Sequence, residues 1–530
     1  MRSRTPLVAL LSVTALALTS CAAGANTGGG GSSGTLVDGK TFTSVISTDP
    51  GSLDPFITVM SVARSIDRFL YGRLVEVLED GSIVSGLAEK WESDTTQAVF
   101  TLREGLTCED GTPLTASDVA ANIVHIADPA NGSPLVGLQV QPGTTATGDD
   151  DARTVTVTSG RPDAFLVENI GGISIVCGTV IDDPKALAAG EGSTGMFTMG
   201  EIVPNSQYTL TRRKDFTWGP GDWDPDQKGL PDEVVFRVVP NETTSVNLVL
   251  SGEVNAALVL GPDKKRLQDA GLFHTEIPTP GGQLVFNQNE GRPTADQAVR
   301  EALAESLDLD QLRQVLTGGE GTVPTGLVTV SPNPCRADVV SGFLPKLDAK
   351  AAAAALDDAG WTLGADGVRS KDGAPLELRM IYPSLFGDAG NAAAELIQST
   401  WKELGVSLTV TAVDSPKLSE TLFSTGDWDV SAAPLTVALP SMLVPFYSGP
   451  TPPNGTNFAG VDNPEYTAAV TAAAQKAGAD GCDDWGAAEQ ALFSTTSVVP
   501  YANIVRSTFA NKATFTEGDG IDPTSIRMYE

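Results

Sequence analysis

The segment Asp110-Gly-Thr-Pro-Leu-Thr-Ala-Ser-Asp-Val119 places a turn directly before a helix. Asp followed by Gly is typical of a tight turn, because Gly accepts backbone conformations that other residues avoid. Thr115 and Asp118 have the spacing of a capping box, in which two side chains satisfy free backbone N–H groups at the start of a helix. The segment therefore predicts a turn at Asp110-Gly111 and a helix that runs to about Ala127.

Strand and helix patterns alternate on both sides of this segment. Residues 98–103 and 154–158 alternate apolar and polar side chains, as half-buried strands do. Further along, the patterns predict helices at about 296–306, 310–316, 348–359 and 389–404, and strands at 283–289, 376–381, 407–412, 430–432 and 498–501. This alternation predicts α/β layers.

Size and charge limit the class of protein. A chain of 530 residues exceeds what one hydrophobic core supports, so we expect at least two lobes. Its net charge of −32 excludes a nucleic-acid partner, because a phosphate backbone must be met by Lys and Arg. Only two histidines are present, far apart in the chain, so no metal site and no cofactor is expected.

The N-terminus has the layout of an export signal. Arg2 and Arg4 precede an apolar run that is too short to span a bilayer, and small residues lead to Cys21. This junction resembles a bacterial lipobox, which predicts a signal peptide at 1–20 and a lipid on Cys21. The Gly/Ser-rich stretch that follows predicts a flexible tether over 21–40. We expect an extracytoplasmic protein held to the cell membrane through the lipid alone; a plain secretory signal with an incidental cysteine is the alternative.

Four further cysteines are expected to form two disulfides, because an even number in an exported chain is typical of disulfide bonding. They are Cys108, Cys177, Cys335 and Cys482. Of the three possible pairings we favour 108 with 177 and 335 with 482, since each pair would then stay within one inferred lobe. Four buried free thiols remain the alternative.

A series of short motifs carries a family resemblance. In chain order they are Ser52-Leu-Asp-Pro55, Tyr71-Gly-Arg-Leu74, Gly86-Leu-Ala-Glu-Lys-Trp91, Phe100-Thr-Leu-Arg-Glu-Gly105, the opening segment, Ser193-Thr-Gly-Met-Phe197, Phe216-Thr-Trp218, Val299-Arg-Glu-Ala302 with Ser306-Leu-Asp308, and Asp358-Ala-Gly-Trp361. Together, over roughly residues 42–505, they resemble the family 5 solute-binding proteins of ABC importers, the dipeptide, oligopeptide and nickel-binding group.

The resemblance implies a two-lobe α/β fold of the periplasmic-binding-protein type II. Lobe 1 would comprise 41–282 with an extra subdomain at about 60–190 and be completed by 501–530, and lobe 2 would comprise 283–500. The chain would cross between the lobes near Pro280–Phe286 and again near Ser497–Tyr501, forming a hinge.

The resemblance also implies a function. The protein would be a monomeric lipoprotein, not an enzyme, that captures a peptide or peptide-like solute between its lobes and delivers it to the permease subunits of an ABC transporter. A sensor or pheromone-binding lipoprotein of the same fold, or a binder of a non-peptide neutral solute, is the alternative. An exported hydrolase is disfavoured, because the sequence lacks a positioned nucleophile, a metal cluster and a phosphate loop.

The family's geometry places the ligand between one floor loop and two roof loops. The predicted contacts are Thr58, Val59, Met60 and Ser61 in the floor, Ser384, Leu385 and Phe386 in the first roof loop, and Leu435, Val437, Leu439, Met442, Phe446 and Tyr447 in the second. Residues 431–448 contain no charge and 382–387 contain no arginine, so the charged anchors of short-peptide binders are missing. We expect an uncharged, fairly apolar roof; the alternative is that the second loop is ordinary lobe 2 core.

Overall fold

The computed structural model describes residues 34–58, 60–78, 81–261, 263–330 and 333–530. The predicted signal peptide, Cys21 and most of the predicted tether lie outside these residues and stay predictions. Within the described part of the chain, no helix is both long enough and apolar enough to cross a bilayer.

The described residues form strands and helices over nearly the whole chain. The strands are β1 (Thr41–Ile46), β2 (Val75–Val77), β3 (Ile83–Ser85), β4 (Ala88–Ser93), β5 (Gln97–Leu102), β6 (Thr145–Asp149), β7 (Thr154–Thr158), β8 (Phe197–Val203), β9 (Gln207–Arg212), β10 (Glu233–Val238), β11 (Ala256–Val259), β12 (Phe273–Phe286), β13 (Thr362–Leu363), β14 (Arg369–Lys371), β15 (Ala374–Pro375), β16 (Glu377–Pro383), β17 (Ser407–Val413), β18 (Val430–Ser431), β19 (Val498–Ala510), β20 (Ala513–Thr514) and β21 (Arg527–Met528). The helices are α1 (Ser61–Leu70), α2 (Ala116–Ala127), α3 (Leu166–Gly171), α4 (Pro184–Ala188), α5 (Glu242–Ser251), α6 (Lys264–Asp269), α7 (Gln297–Glu305), α8 (Leu309–Thr317), α9 (Ala349–Asp358), α10 (Gly387–Glu403), α11 (Ser415–Glu420), α12 (Val444–Tyr447), α13 (Pro464–Ala473) and α14 (Cys482–Ser494).

One mixed sheet of ten strands runs through the molecule in the order β17-β16-β18-β12-β19-β11-β1-β10-β9-β8. Its two central strands, β12 and β19, are the longest and pair antiparallel along most of their length. β12 continues the sheet to one side through β18, and β19 continues it to the other side through β11. The two halves of the molecule are therefore joined by this central pair.

Each half has its own apolar core. The half on the β11 side packs around a first core that includes Phe42, Phe69 and Phe100, and we call it lobe 1. The half on the β18 side holds a second core around Trp401 and a third core around Trp428, and we call it lobe 2. The α/β fold with two lobes agrees with the sequence prediction, whereas the residue boundaries given above remain a prediction.

The hinge lies in the central pair of strands. The pairing of β12 with β19 shifts register twice between Pro280 and Gln283, inside the first predicted crossing segment. A Cβ added to Gly282 would lie 2.3 Å from Cε2 of Tyr501, and one added to Gly281 would lie 2.4 Å from Cγ2 of Ile504. Since real side chains do not approach so closely, only glycine fits at this bend. The predicted hinge of two crossing segments is confirmed.

The opening segment forms the turn and helix that it predicts. Thr115 N–H donates to the Asp118 carboxylate at 2.9 Å, and Asp118 N–H donates to the Thr115 hydroxyl at 3.1 Å, which completes the capping box. The helix α2 that follows lies against a four-stranded sheet of order β4-β5-β7-β6. This sheet and α2 share the first core with the rest of lobe 1, as expected for an extra subdomain.

Both disulfides have the favoured pairing. Cys108 and Cys177 are joined within the first core, where each is almost fully buried. Cys335 and Cys482 are joined in lobe 2, where they tie a loop to the first residue of α14. Each bond therefore stays within one lobe.

Candidate ligand-binding site

The predicted floor loop exposes large apolar side chains. Asp54 accepts a hydrogen bond from Phe56 N–H at 2.9 Å and its backbone oxygen accepts one from Thr58 N–H at 3.0 Å, which folds the loop into a tight turn. Phe56 points inward and is buried, whereas Ile57 and Met60 keep 48% and 46% of their surface exposed. The loop therefore presents two large apolar side chains to solvent at the start of α1.

The remaining predicted floor residues are polar or lie outside the description. Thr58 is half-buried and its hydroxyl accepts from Met60 N–H at 3.2 Å, while Ser61 is exposed and begins α1. Val59 lies outside the described residues. We therefore add Ile57 to the predicted floor, and its position two residues after the Leu-Asp-Pro motif is the sequence signal that could have found it.

The first roof loop lies beside the hinge. β16 ends at Pro383, the loop 384–386 forms a single turn, and α10 begins at Gly387. Ser384 is exposed, and Leu385 is 62% exposed. Phe386 is half-buried and lines a small cavity together with the hinge residues Gly281 and Tyr501. The first roof loop therefore meets the hinge through Phe386, while Leu385 is exposed to solvent.

The second roof loop mainly packs on lobe 2. Leu439 and Tyr447 are buried in the third core, and the Tyr447 ring lies 6.4 Å from that of Tyr466. The half-buried members pack against the same core; they are Leu435, Val437, Met442 and Phe446. For Leu439 and Tyr447, the structure thus agrees with the alternative interpretation that they are ordinary core residues of lobe 2. Contact of this loop with a ligand stays a prediction.

One hydrogen bond ties the second roof loop to the hinge. Leu435 N–H donates to the side-chain oxygen of Gln283 at 3.2 Å. Gln283 is buried in β12, immediately after the register shift. This bond therefore holds the base of the loop to β12 directly beside the bend.

An ion-pair cluster links α1 to β2 and to the C-terminal segment, where Arg68 Nε lies 3.9 Å from Asp519. Arg68 forms a two-pronged ion pair with Glu76 at 2.7 Å, and Arg73 contacts Asp519 at 2.8 Å. Burial raises the pKa of Asp519, but the charges of Arg73 and Arg68 outweigh it and hold that pKa well below its ordinary range. Both arginines are thus committed to structural pairs, and those of Arg68 hold α1, the helix that follows the floor loop.

Asp67 is an exception within α1, because its carboxylate is buried without a partner. The residue is 3% exposed and neither carboxylate oxygen has a hydrogen-bond partner among the described residues. Burial raises its pKa well above the ordinary value, opposed by the charge of Arg64 and reinforced by that of Asp54. The folded protein therefore prefers the neutral acid at this position.

Replacing Asp67 with asparagine is expected to stabilise the protein at neutral pH by about 1 kcal/mol or more, since folding at that pH must keep on the buried carboxyl a proton that the unfolded chain has released. The raised pKa means that the unfolded chain loses its proton first as pH rises above the ordinary aspartate pKa. Stability of the wild type therefore falls from that pH up to the folded-state pKa. Thermal unfolding at pH 4 and pH 7.5 checks this: the gain from Asp67→Asn should be clear at pH 7.5 and small at pH 4. An equal gain at both values would contradict the assignment.

Comparison with known proteins identifies the family. The family description "Bacterial extracellular solute-binding proteins, family 5 Middle" matches residues 82–457. The chain is 27% identical over 325 residues to the periplasmic murein peptide-binding protein MppA of Escherichia coli, covering 57% of each protein. It is 25% identical over 434 residues to the oligopeptide-binding protein OppA of Bacillus subtilis, covering 77% of each.

A solved structure agrees over a longer stretch. A substrate-binding protein from Microbacterium hydrocarbonoxydans, crystallised with 4-hydroxybenzoate hydrazide, superposes with a TM-score of 0.75 at 26% identity, covering 92% of this chain and all of that one. With the family description matching well over half of the sequence, the chain belongs to the family 5 extracellular solute-binding proteins.

Proposed function

We propose that this protein is the solute receptor of an ABC importer, which captures a peptide or peptide-like neutral solute between its lobes and delivers it to the permease. One observation carries the proposal. On either side of the hinge, the floor loop and the first roof loop expose Ile57, Met60 and Leu385 to solvent. Apolar side chains exposed in one loop of each lobe are what a ligand that bridges two lobes would cover.

Closure follows from contacts made by both lobes. A ligand that touches the floor and the roof together gains all its contacts only in the closed form, so it shifts the open–closed equilibrium by that difference in affinity. The bend at Gly281 and Gly282 supplies the pivot. No covalent step is needed, and the ligand leaves unchanged.

The lack of charged side chains in the roof loops limits the class of ligand. The second roof loop and its flanks, residues 431–448, contain no charged residue, and the first roof loop contains no arginine. A free carboxylate or ammonium group in a closed, dry site would lack a partner there, and an unpaired buried charge is strongly unfavourable. The proposed ligand is therefore held through backbone groups and apolar contacts. The peptide-binding relatives and the aromatic hydrazide of the Microbacterium complex are both compatible with this class.

The location of the protein completes the proposal. Lipidation of Cys21 would anchor a monomeric receptor to the outside of the cell membrane through a flexible tether, near its permease. A sensor that hands its ligand to a signalling partner would share the site. Permease and ATPase genes beside this one would favour import, and a kinase gene would favour sensing.

Calorimetry and thermal shift with a defined panel test the ligand class. The panel contains peptides of two to five residues with free or blocked termini, 4-hydroxybenzoate hydrazide, neutral sugars and a nickel chelate. Blocked or apolar peptides or the hydrazide are expected to bind, since the site offers no partner for charged termini. Tight binding of a free dipeptide that is lost on blocking its termini would contradict the class, and turnover of any compound would contradict the function.

Truncating the exposed apolar residues is expected to weaken binding. Leu385→Ala and Met60→Ala should each lower the affinity for the best ligand about tenfold, since covering such a side chain contributes about 1.5–3 kcal/mol. Both residues are largely exposed in the structure, so the melting temperature should hardly change.

Leu363→Ala is the matched control for this pair. Leu363 is 58% exposed in lobe 2, but it sits in the hairpin beside the start of β16, at the end opposite to the first roof loop. Its truncation should leave affinity unchanged. Equal losses for Leu385→Ala and Leu363→Ala would place the binding site elsewhere.

A further inference from the structure

A loop of lobe 1 inserts two residues, Ala164 and Phe165, into lobe 2; we call these residues the tip of the loop. The residues that follow this tip, Leu166 and Ile170 of α3, pack in the first core with the rest of lobe 1. Ala164 and Phe165 instead belong to the third core, among residues of lobe 2. Their exposures are 4% and 0%, so lobe 2 covers them almost completely.

Two contacts seat the tip. The backbone oxygen of Ala164 accepts a hydrogen bond from Gly478 N–H at 2.6 Å. The ring of Phe165 lies 5.9 Å from that of Trp485, with 31° between the ring planes. Gly478 and Trp485 lie on either side of the start of α14, so the socket is built around one end of that helix.

The base of the loop is held rigidly in lobe 1. Asp163 N–H donates to the oxygen of Thr95 at 2.7 Å, which anchors the loop to the subdomain sheet. The Asp163 carboxylate accepts from Phe165 N–H and from the Asn169 side chain, each at 3.0 Å. The loop therefore presents Phe165 in a fixed orientation and need not be ordered by lobe 2.

The socket lies away from the hinge. Trp485 precedes the last residue of α14, Ser494, by nine positions, which corresponds to about 13 Å along the helix axis. The strand β19, which carries one side of the hinge, begins only after that helix. Rotation of the lobes about residues 280–283 must therefore separate Phe165 from its socket.

We propose that Phe165 is a latch between the lobes, which holds the receptor closed in addition to any ligand. Opening takes the Phe165 ring out of its contacts with lobe 2 and breaks the bond from Gly478 to Ala164. The latch therefore shifts the empty protein toward the closed form by a factor of about ten to one hundred. It also slows ligand release, because the lobes cannot part until the ring leaves the socket. The inference depends on the two-lobe fold and not on the identity of the ligand.

Small-angle scattering of the unliganded protein tests the latch. Phe165→Ala is expected to increase the radius of gyration, because more molecules open. Phe165→Leu should give an intermediate value, since it keeps part of the apolar contact. Where a ligand is known, dissociation from Phe165→Ala should be at least tenfold faster. The scattering measurement needs no ligand. It therefore tests the latch even if the proposed ligand class is wrong.

Phe343→Ala is the control, since Phe343 is 39% exposed on lobe 2 and should leave the scattering unchanged. Thermal unfolding verifies that each variant is folded. If Phe165→Ala does not fold, Phe165→Leu decides by the same measurement. A folded variant with the wild-type radius of gyration would overturn the latch and leave the contact as ordinary packing.

Discussion

Replacing Gly282 with valine is expected to lower the free energy of unfolding by about 1–3 kcal/mol, the usual effect of overpacking a filled site. Even a single added carbon at this position would lie 2.3–2.4 Å from the ring of Tyr501. That ring is 3% exposed and belongs to the second core, so it has little room to move. The displacement falls at the hinge and should also alter closure, weakening binding of the best ligand about tenfold or more. Urea unfolding and calorimetry measure the two effects.

A double-mutant cycle with Tyr501→Ala supplies the control. Tyr501→Ala alone should destabilise the protein by leaving a cavity, whereas in the double variant the valine side chain occupies part of that space. The combined loss should therefore be smaller than the sum of the single losses by about 1 kcal/mol. Strict additivity would show that the two side chains do not compete for the same volume.

The hinge shows how far the sequence predicts this fold. The bend in the structure lies inside the predicted crossing segment, Pro280–Phe286. The predicted strand 283–289, however, begins ten residues after the observed start of β12. β12 starts at Phe273 and continues through Pro278, Pro280 and the two glycines. Such residues normally interrupt strands, and here they are tolerated because the pairing with β19 shifts register at this point. Likewise β19 runs to Ala510, well beyond the predicted 498–501.

The family motifs mainly support the fold, which explains why they locate the site only indirectly. Gly195 of the Ser193–Phe197 motif donates to the oxygen of Leu70 at 2.7 Å, and a Cβ there would meet the Leu70 backbone at 2.8 Å. Trp361 is 8% exposed and packs in the second core. Both residues pack secondary-structure elements against each other. Their presence therefore predicts the fold but does not identify the ligand.

The roof loops illustrate the limit for the site itself. Leu385 and Tyr447 are both large residues of the predicted roof, yet one is 62% exposed and the other is fully buried. A sequence pattern records polarity but not which neighbour covers a side chain, so core and ligand contacts look alike. The Phe165 contact was missed for the same reason, because its partner Trp485 is 320 positions away in the chain.

Removing the Cys108–Cys177 disulfide by replacing both residues with alanine is expected to destabilise lobe 1 by about 2–5 kcal/mol. The bond closes a span of 69 residues that includes α2 and two strands of the subdomain sheet, β6 and β7. Both cysteines are at most 2% exposed, so the variant also loses packed atoms from the first core. Urea unfolding of the wild type and the double variant measures the loss.

The second disulfide separates the two causes of this loss. Cys335 and Cys482 span 147 residues, and by chain entropy alone their removal should destabilise by about 0.7 kcal/mol more than removal of the first pair. Both are only half-buried, so their replacement by alanine leaves less of a cavity. We expect core packing to outweigh the entropy difference, so that Cys108→Ala/Cys177→Ala is the more damaging double variant. The reverse order would show that the constraint on the unfolded chain governs both bonds.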